Sequence, residues 1–271
     1  MGAPPMLARP MVHPLTHVCP RPVTHICASL ASGQVMCWGD NRGGELGNGT
    51  FALVPQPPVF VTGIRDATGV AVKLGASCAL RRTGEVLCWG INNAGHLGIG
   101  SLDGTTTPLP ILHVAAAVQI SAGIHHTCAR LQNGQVKCWG HNEFGQLGDG
   151  TRTSSRVSVI VTKLGYAVEI SAGERHTCAR LRSGQVRCWG RNEFGQLGDG
   201  STLDKSTPVA VAGVTDAVEI AAGGGHSCAR LSTGELTCWG FNRSGQLGDG
   251  TTMDSATPVL VKGLRLPACR P

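Results

Sequence analysis

Ten of the twelve cysteines in this chain fall into five pairs of identical spacing: Cys27 and Cys37, Cys78 and Cys88, Cys128 and Cys138, Cys178 and Cys188, Cys228 and Cys238. Four of the pairs have a histidine two residues before the first cysteine, at His25, His126, His176 and His226. Thiols and imidazoles at fixed spacing can bind zinc, form disulfides or pack as small apolar groups. Zinc is the weakest reading. The second pair has Ala76 where the histidine should stand, and the spacing is unlike the tight Cys-x2–4-Cys knuckles of structural zinc sites. No metal site is expected.

Nor do these residues make a catalytic centre. A residue repeated along the chain cannot assemble one asymmetric active site, and no serine or aspartate partner stands beside a single copy. The tract Asn-x-x-Gly-x-Leu-Gly-x-Gly, at 41–49, 92–100, 142–150, 192–200 and 242–250, resembles a phosphate loop at first sight. Such a loop has meaning only between a strand and a helix, and no helical periodicity follows any copy. Asp149, Asp199 and Asp249 lack the dense oxygen-ligand pattern of a calcium loop. The simpler expectation is that Asn and Asp cap turns while Leu enters the core, with no cofactor.

The elements that position these residues follow from a repeat. Cys-Trp-Gly occurs five times, with Trp38, Trp89, Trp139, Trp189 and Trp239 at periods of 51, 50, 50 and 50 residues, and these are all the tryptophans present. A period near 50 marks propellers and arrays. Within the unit 167–214, alternating Val168 and Ile170 read as one strand, 176–181 as a second, 185–189 as a third and 208–211 as a fourth. With 39 glycines and 15 prolines and few aromatics, the chain reads as all-β. We expect a β-propeller of four-stranded blades with five clear repeats over 24–266, a Pro-rich segment at 1–23 with a degenerate blade remnant at 11–23, and a tail at 267–271.

The second and third strands meet at Ser32-Gly33, Thr83-Gly84, Asn133-Gly134, Ser183-Gly184 and Thr233-Gly234. A two-residue type I′ loop would force positive φ on threonine. A three-residue type I loop with Gly in the left-handed position does not. That loop puts Cys128 directly opposite Cys138 in a non-hydrogen-bonded pair, within disulfide reach. Two readings of the five pairs stand, disulfides and free core thiols; repetition at cross-strand distance favours disulfides. The leftover Cys19 and Cys269 lie near the two ends, where a sixth bond would clasp a ring. Disulfides would place the protein in an oxidising compartment, extracellular or at the cell surface; free thiols would make it cytoplasmic.

The motifs His-[Ser/Thr]-Cys-Ala-Arg-Leu, Gly-x-[Val/Leu]-x-Cys-Trp-Gly and Asn-x-x-Gly-x-Leu-Gly resemble the regulator of chromosome condensation repeat family, in register over 25–264. The resemblance implies a propeller, usually seven-bladed, so five units imply a smaller variant or a fragment of a larger ring. It also implies protein binding, as in the secreted β-lactamase-inhibitory propellers, which this chain resembles in architecture. The alternative is guanine-nucleotide exchange on a small GTPase with chromatin association. That activity needs a wedge-like insertion, which units of nearly uniform length do not show. Ultraviolet sensing, as in the plant photoreceptor propeller, needs extra tryptophans that are absent here.

A partner would be read by positions that vary between units. Just before the histidines these are Ile124, His125, Glu174, Arg175, Gly224 and Gly225. After Trp-Gly they are Asp40, Arg42, Ile91, Asn93, His141, Glu143, Phe144, Arg191, Glu193, Phe194, Phe241 and Arg243. A net charge of +6 is scattered with no run of like charges, so nucleic acid is not the expected partner. No apolar stretch is long enough to span a bilayer. The expectation is a monomeric, non-enzymatic scaffold that binds a protein.

Overall fold

The computed structural model describes residues 24–267, and within them every regular element is a strand. Blade 1 has β1 (His25–Ser29), β2 (Val35–Asn41) and β3 (Ala52–Phe60). Blade 2 has β4 (Ala67–Lys73), β5 (Ala76–Arg81), β6 (Val86–Gly90) and β7 (Thr105–Pro110). Blade 3 has β8 (Ala117–Ala122), β9 (His126–Leu131), β10 (Val136–Gly140) and β11 (Ser155–Ile160). Blade 4 has β12 (Ala167–Ala172), β13 (His176–Leu181), β14 (Val186–Gly190) and β15 (Lys205–Ala210). Blade 5 has β16 (Ala217–Ala222), β17 (His226–Leu231), β18 (Glu235–Gly240) and β19 (Ser255–Arg265).

These form five antiparallel sheets, four of them four-stranded and the first three-stranded among the described residues, in the order of the chain. First strands of successive blades pack on one another, which puts them innermost and the fourth strands at the rim. The rim explains one difference from the sequence reading. The fourth strand of blade 4 starts at Lys205 rather than Pro208, and the proline is accommodated inside it because an edge strand needs no ladder bond on its outer side. The expected blade remnant at 11–23, Cys19 and Cys269 lie outside the described residues.

The hairpin turn is the three-residue loop expected. Leu131 N–H donates to Gln135 O at 2.8 Å, Gly134 N–H donates to Leu131 O at 2.9 Å, and Gly134 has φ of 80°. Counting back from that turn puts Cys128 against Cys138, and the same register recurs in all five hairpins. Opposed Cα atoms sit 4.0–4.1 Å apart, the close spacing of a non-hydrogen-bonded pair. All five pairs are at disulfide distance, with S–S of 2.07–2.16 Å.

The core lies between blades. Trp89, Trp139, Trp189 and Trp239 are each fully buried, and each indole N–H donates to a carbonyl of the preceding blade: Glu45, His96, Gln146 and Gln196, at 2.7–3.1 Å. Truncating such a buried side chain typically costs about 3–5 kcal/mol. The Leu of each glycine-rich tract (Leu46, Leu97, Leu147, Leu197 and Leu247) is wholly buried, as the sequence pattern anticipates. The tract itself is stapled by its asparagine. Asn142 Oδ1 accepts from Leu147 N–H at 2.9 Å while its amide donates to the carbonyls of Thr151 and Thr153. These glycines shape a turn around an asparagine rather than around a phosphate.

Candidate functional site

An up-and-down blade has two ends, and they differ here. One end carries the tight second-to-third hairpin and the link to the next blade. The other carries the first-to-second connection, at 123–125 in blade 3, and the long third-to-fourth loop at 141–154. Both sets of variable residues singled out in the sequence therefore fall on the same face. A backbone bond joins them in every blade: Asp40 N–H to Thr24 O, Ile91 to Gly75, His141 to His125, Arg191 to Arg175 and Phe241 to Gly225, at 2.7–3.0 Å. Adjacent inner loops are bonded to each other as well, Ile124 N–H to Glu174 O and Glu174 N–H to Gly223 O. Across blades 3 to 5 the face is an arc of side chains on a hydrogen-bonded backbone framework.

Blades 3 to 5 carry a run of guanidinium groups on aromatic rings. Arg175 lies 5.2 Å and Arg191 5.1 Å from the centre of Phe144. Arg191 also reaches Phe194 at 6.0 Å, Phe194 meets Phe241 edge to face at 4.9 Å, and Arg243 lies 5.7 Å from Phe241. Each such cation–π contact contributes about 0.5–1 kcal/mol at an exposed site. Carboxylates hold the arginines in place, Glu193 on Arg191 at 2.5 Å and Glu174 beside Arg175 at 3.7 Å. The three phenylalanines are half-buried, anchored yet presented. Ile124 departs from the others: only 7% exposed, it belongs to the core.

Toward blade 2 the same face turns to imidazoles. The His125 ring lies 6.2 Å from His96 and 6.3 Å from His141, and Gln146 Nε2 donates to His141 Nδ1 at 3.1 Å. Burial, then the neighbouring His141, Arg175 and Lys73, holds the His125 pKa below its ordinary value. His96 is pushed down to about 3 by burial and by Lys73. Sequence reasoning missed His96 because it occupies the slot filled by glutamine in blades 3 to 5 and reads there as loop filler. Among the described residues, no group of three or more His, Cys, Asp and Glu is arranged to hold a metal ion.

Beneath the face, the recurrent histidines join the blades. His25 Nε2 meets Ser77 Oγ at 2.7 Å, His126 meets Thr177 at 2.8 Å and His176 meets Ser227 at 2.8 Å. Thr177 and Ser227 in turn donate to the carbonyls of Gln146 and Gln196, so each hydroxyl accepts from a neutral imidazole N–H. Burial pushes His126 and His176 down to about 3 and His25 to about 4.

Blade 2 breaks the pattern twice and the two breaks cancel. Ala76 replaces the histidine, and Lys73 replaces the glycine that blades 3 to 5 place against the imidazole. At Gly123 a Cβ would fall 2.3 Å from Gly173 O and 2.4 Å from His126 Cε1, so in blade 3 the neighbouring backbone and the ring together bar a side chain. Lys73 is wholly buried and donates to Thr127 Oγ1 at 2.5 Å, the hydroxyl the missing histidine would have taken, and to His96 O at 2.6 Å. Burial pushes its ammonium down to about 7.

With this geometry in place, comparison with known proteins is informative. The chain matches the family profile described as "RCC1-like domain" across residues 23–270. RCC1 domain-containing protein 1 of Mus musculus is 36% identical over 83 residues, 30% of this chain and 22% of the mouse protein. Human WBSCR16 superposes with a TM-score of 0.80 at 23% identity, covering 88% of this chain and 65% of that one. Yeast RCC1 (Prp20), solved with Kap60, gives 0.78 at 22% identity, covering 89% and 60%. This chain thus spans less than two thirds of each of these proteins.

Proposed function

Because the chain belongs to the RCC1-like domain family, matched over residues 23–270, we propose that it is a non-enzymatic protein-binding module whose loop face takes hold of a partner protein. The observation that carries this reading is the series of arginines on half-buried phenylalanines, Arg175, Phe144, Arg191, Phe194, Phe241 and Arg243, across three adjacent blades. Arginine and large aromatics anchored on a rigid scaffold are the side chains that dominate binding energy at protein interfaces. Yeast Prp20 has been studied for its binding to Gsp1p and histones; a folded protein is the class of partner we assign to this face. Five cysteine pairs at disulfide distance support a site of action outside the reducing cytosol, extracellular or at the cell surface.

The test is site-specific photocrosslinking on protein in its native surroundings. A crosslinker is placed at Arg243, 71% exposed on the loop face, and separately at Ser183 on the hairpin face. The reading expects one partner captured from position 243 and not from 183. Capture from 183 alone, or from neither, refutes it. In parallel, accelerated release of labelled guanine nucleotide from a panel of small GTPases would replace the scaffold reading with the exchange-factor alternative.

A further inference from the structure

Between blades 4 and 5 the loop face opens into a recess of about 280 Å3, walled by Phe194 and Phe241 and rimmed by Arg175 and Arg191. Its origin lies in the repeat itself. In blade 4 the residue before the histidine, Arg175, reaches back and covers the ring of blade 3's Phe144 at 5.2 Å. The equivalent residue of blade 5 is Gly225, whose absent Cβ would stand 3.1 Å from Phe194 Cδ2. Blade 5 carries Gly224-Gly225 where blade 4 carries Glu174-Arg175 and blade 3 carries Ile124-His125. The guanidinium that caps Phe144 at the neighbouring joint has no counterpart here: the Gly225 backbone packs against Phe194 and Phe241 meets that ring edge to face at 4.9 Å, which leaves the recess beside the two rings.

We propose that this recess is the anchor pocket of the loop face, taking an aromatic side chain from an acidic segment of the partner protein. The inference rests on the protein-binding reading above and specifies its chemistry. An aromatic ring completes the cluster begun by Phe194 and Phe241, where ring pairs contribute about 0.5–1.5 kcal/mol beyond their buried area. The two guanidinium groups at the rim repel a cationic neighbour and offer N–H donors to a carboxylate flanking the ring. Each arginine already has a carboxylate neighbour, Glu174 beside Arg175 and Glu193 on Arg191, so the partner's carboxylate shares guanidinium forks that have further N–H donors. His226 also lines the recess, and burial lowers its pKa.

The test uses a fluorescein-labelled dodecapeptide of glycine and serine with Glu-Phe-Glu at its centre, followed by anisotropy at low salt. Two control peptides replace the Phe by Ser or both Glu by Lys. The expected result is saturable binding weakened about tenfold or more by either change. The protein variant is the double substitution G224E/G225R, which writes blade 4's loop sequence into blade 5; because a Cβ at 225 would stand 3.1 Å from Phe194 and 3.2 Å from Phe241, its melting temperature is measured to show that it folds, and the two control peptides test the proposal on the unaltered protein. It should lower peptide affinity by a similar factor. No saturable binding, equal binding by G224E/G225R, or equal binding of the lysine peptide overturns the proposal. Photocrosslinking from Arg243 separates the two claims. If capture persists undiminished in G224E/G225R, the face binds a partner and the recess is not its anchor. If capture never occurs from this face, the wider reading has failed instead.

Discussion

Exchanging the two residues that distinguish blade 2 should relieve a pH-dependent weakness at the joint between blades 2 and 3. Lys73 is wholly buried, has two neutral acceptors, His96 O and Thr127 Oγ1, and its ammonium is pushed from 10.5 down to about 7 by burial. The sign follows from proton counting. Between about pH 7 and 10.5 the unfolded chain keeps this proton and the folded chain has lost it, so stability rises with pH across that window. At 1.36 kcal/mol per unit, the whole shift corresponds to roughly 5 kcal/mol, of which about 2 kcal/mol falls between pH 7 and 9. The buried histidines do not mimic this, because their folded and unfolded forms are both neutral there.

The double substitution K73G/A76H writes in the glycine and histidine that blades 3 to 5 carry, with the new imidazole aimed at Thr127. It should flatten the slope. Singly, K73G strips Thr127 of its donor and A76H forces a ring against the lysine, each destabilising by about 1–3 kcal/mol, whereas the pair should recover most of that loss. Urea unfolding followed by the fluorescence of the five tryptophans, at steps from pH 7 to 9, measures all four proteins. A wild-type midpoint that is flat over this range, or equal slopes in wild type and K73G/A76H, would refute the reasoning.

Acid should act through the histidines in the opposite window. With His126 and His176 near 3 in the fold, the unfolded chain gains protons first as pH falls through 6.5, and each site loses roughly 2 kcal/mol of stability by pH 5. His126→Gln should make the decline between pH 7 and 5 shallower, read by the same urea midpoints. Gly148→Ala places a Cβ 2.7 Å from Trp189 Nε1 at a φ of 73°, and should cost about 2–4 kcal/mol in thermal melts. Gly213→Ala, at φ 71° with nothing within 4 Å, should cost only about 1 kcal/mol; equal effects would show that the approach to tryptophan is irrelevant. Alkylation of the protein under denaturing conditions followed by intact mass should find the ten paired cysteines unmodified until reductant is added. Free thiols at those positions would move the protein back to a reducing compartment.

Whatever is local or repeated can be read from the residues alone. Five Cys-Trp-Gly units at one period gave the blades, threonine before the turn glycine selected the three-residue loop, and that loop set the register that opposes each cysteine pair, because hairpin pairing follows from turn geometry alone. The variable positions on the loop face were legible for the same reason, since departures from a repeat stand out. What depends on the neighbouring blade is legible only once the chain is folded. That Lys73 takes the hydroxyl a histidine takes at other joints, and that Gly225 and Phe241 pack on Phe194 where Arg175 and Arg191 pack on Phe144, are contacts between residues in different units. The physical reason is that a blade's period specifies its own hydrogen bonds, whereas the packing of one blade's loops onto the next depends on side-chain reach across an interface, which no single unit encodes.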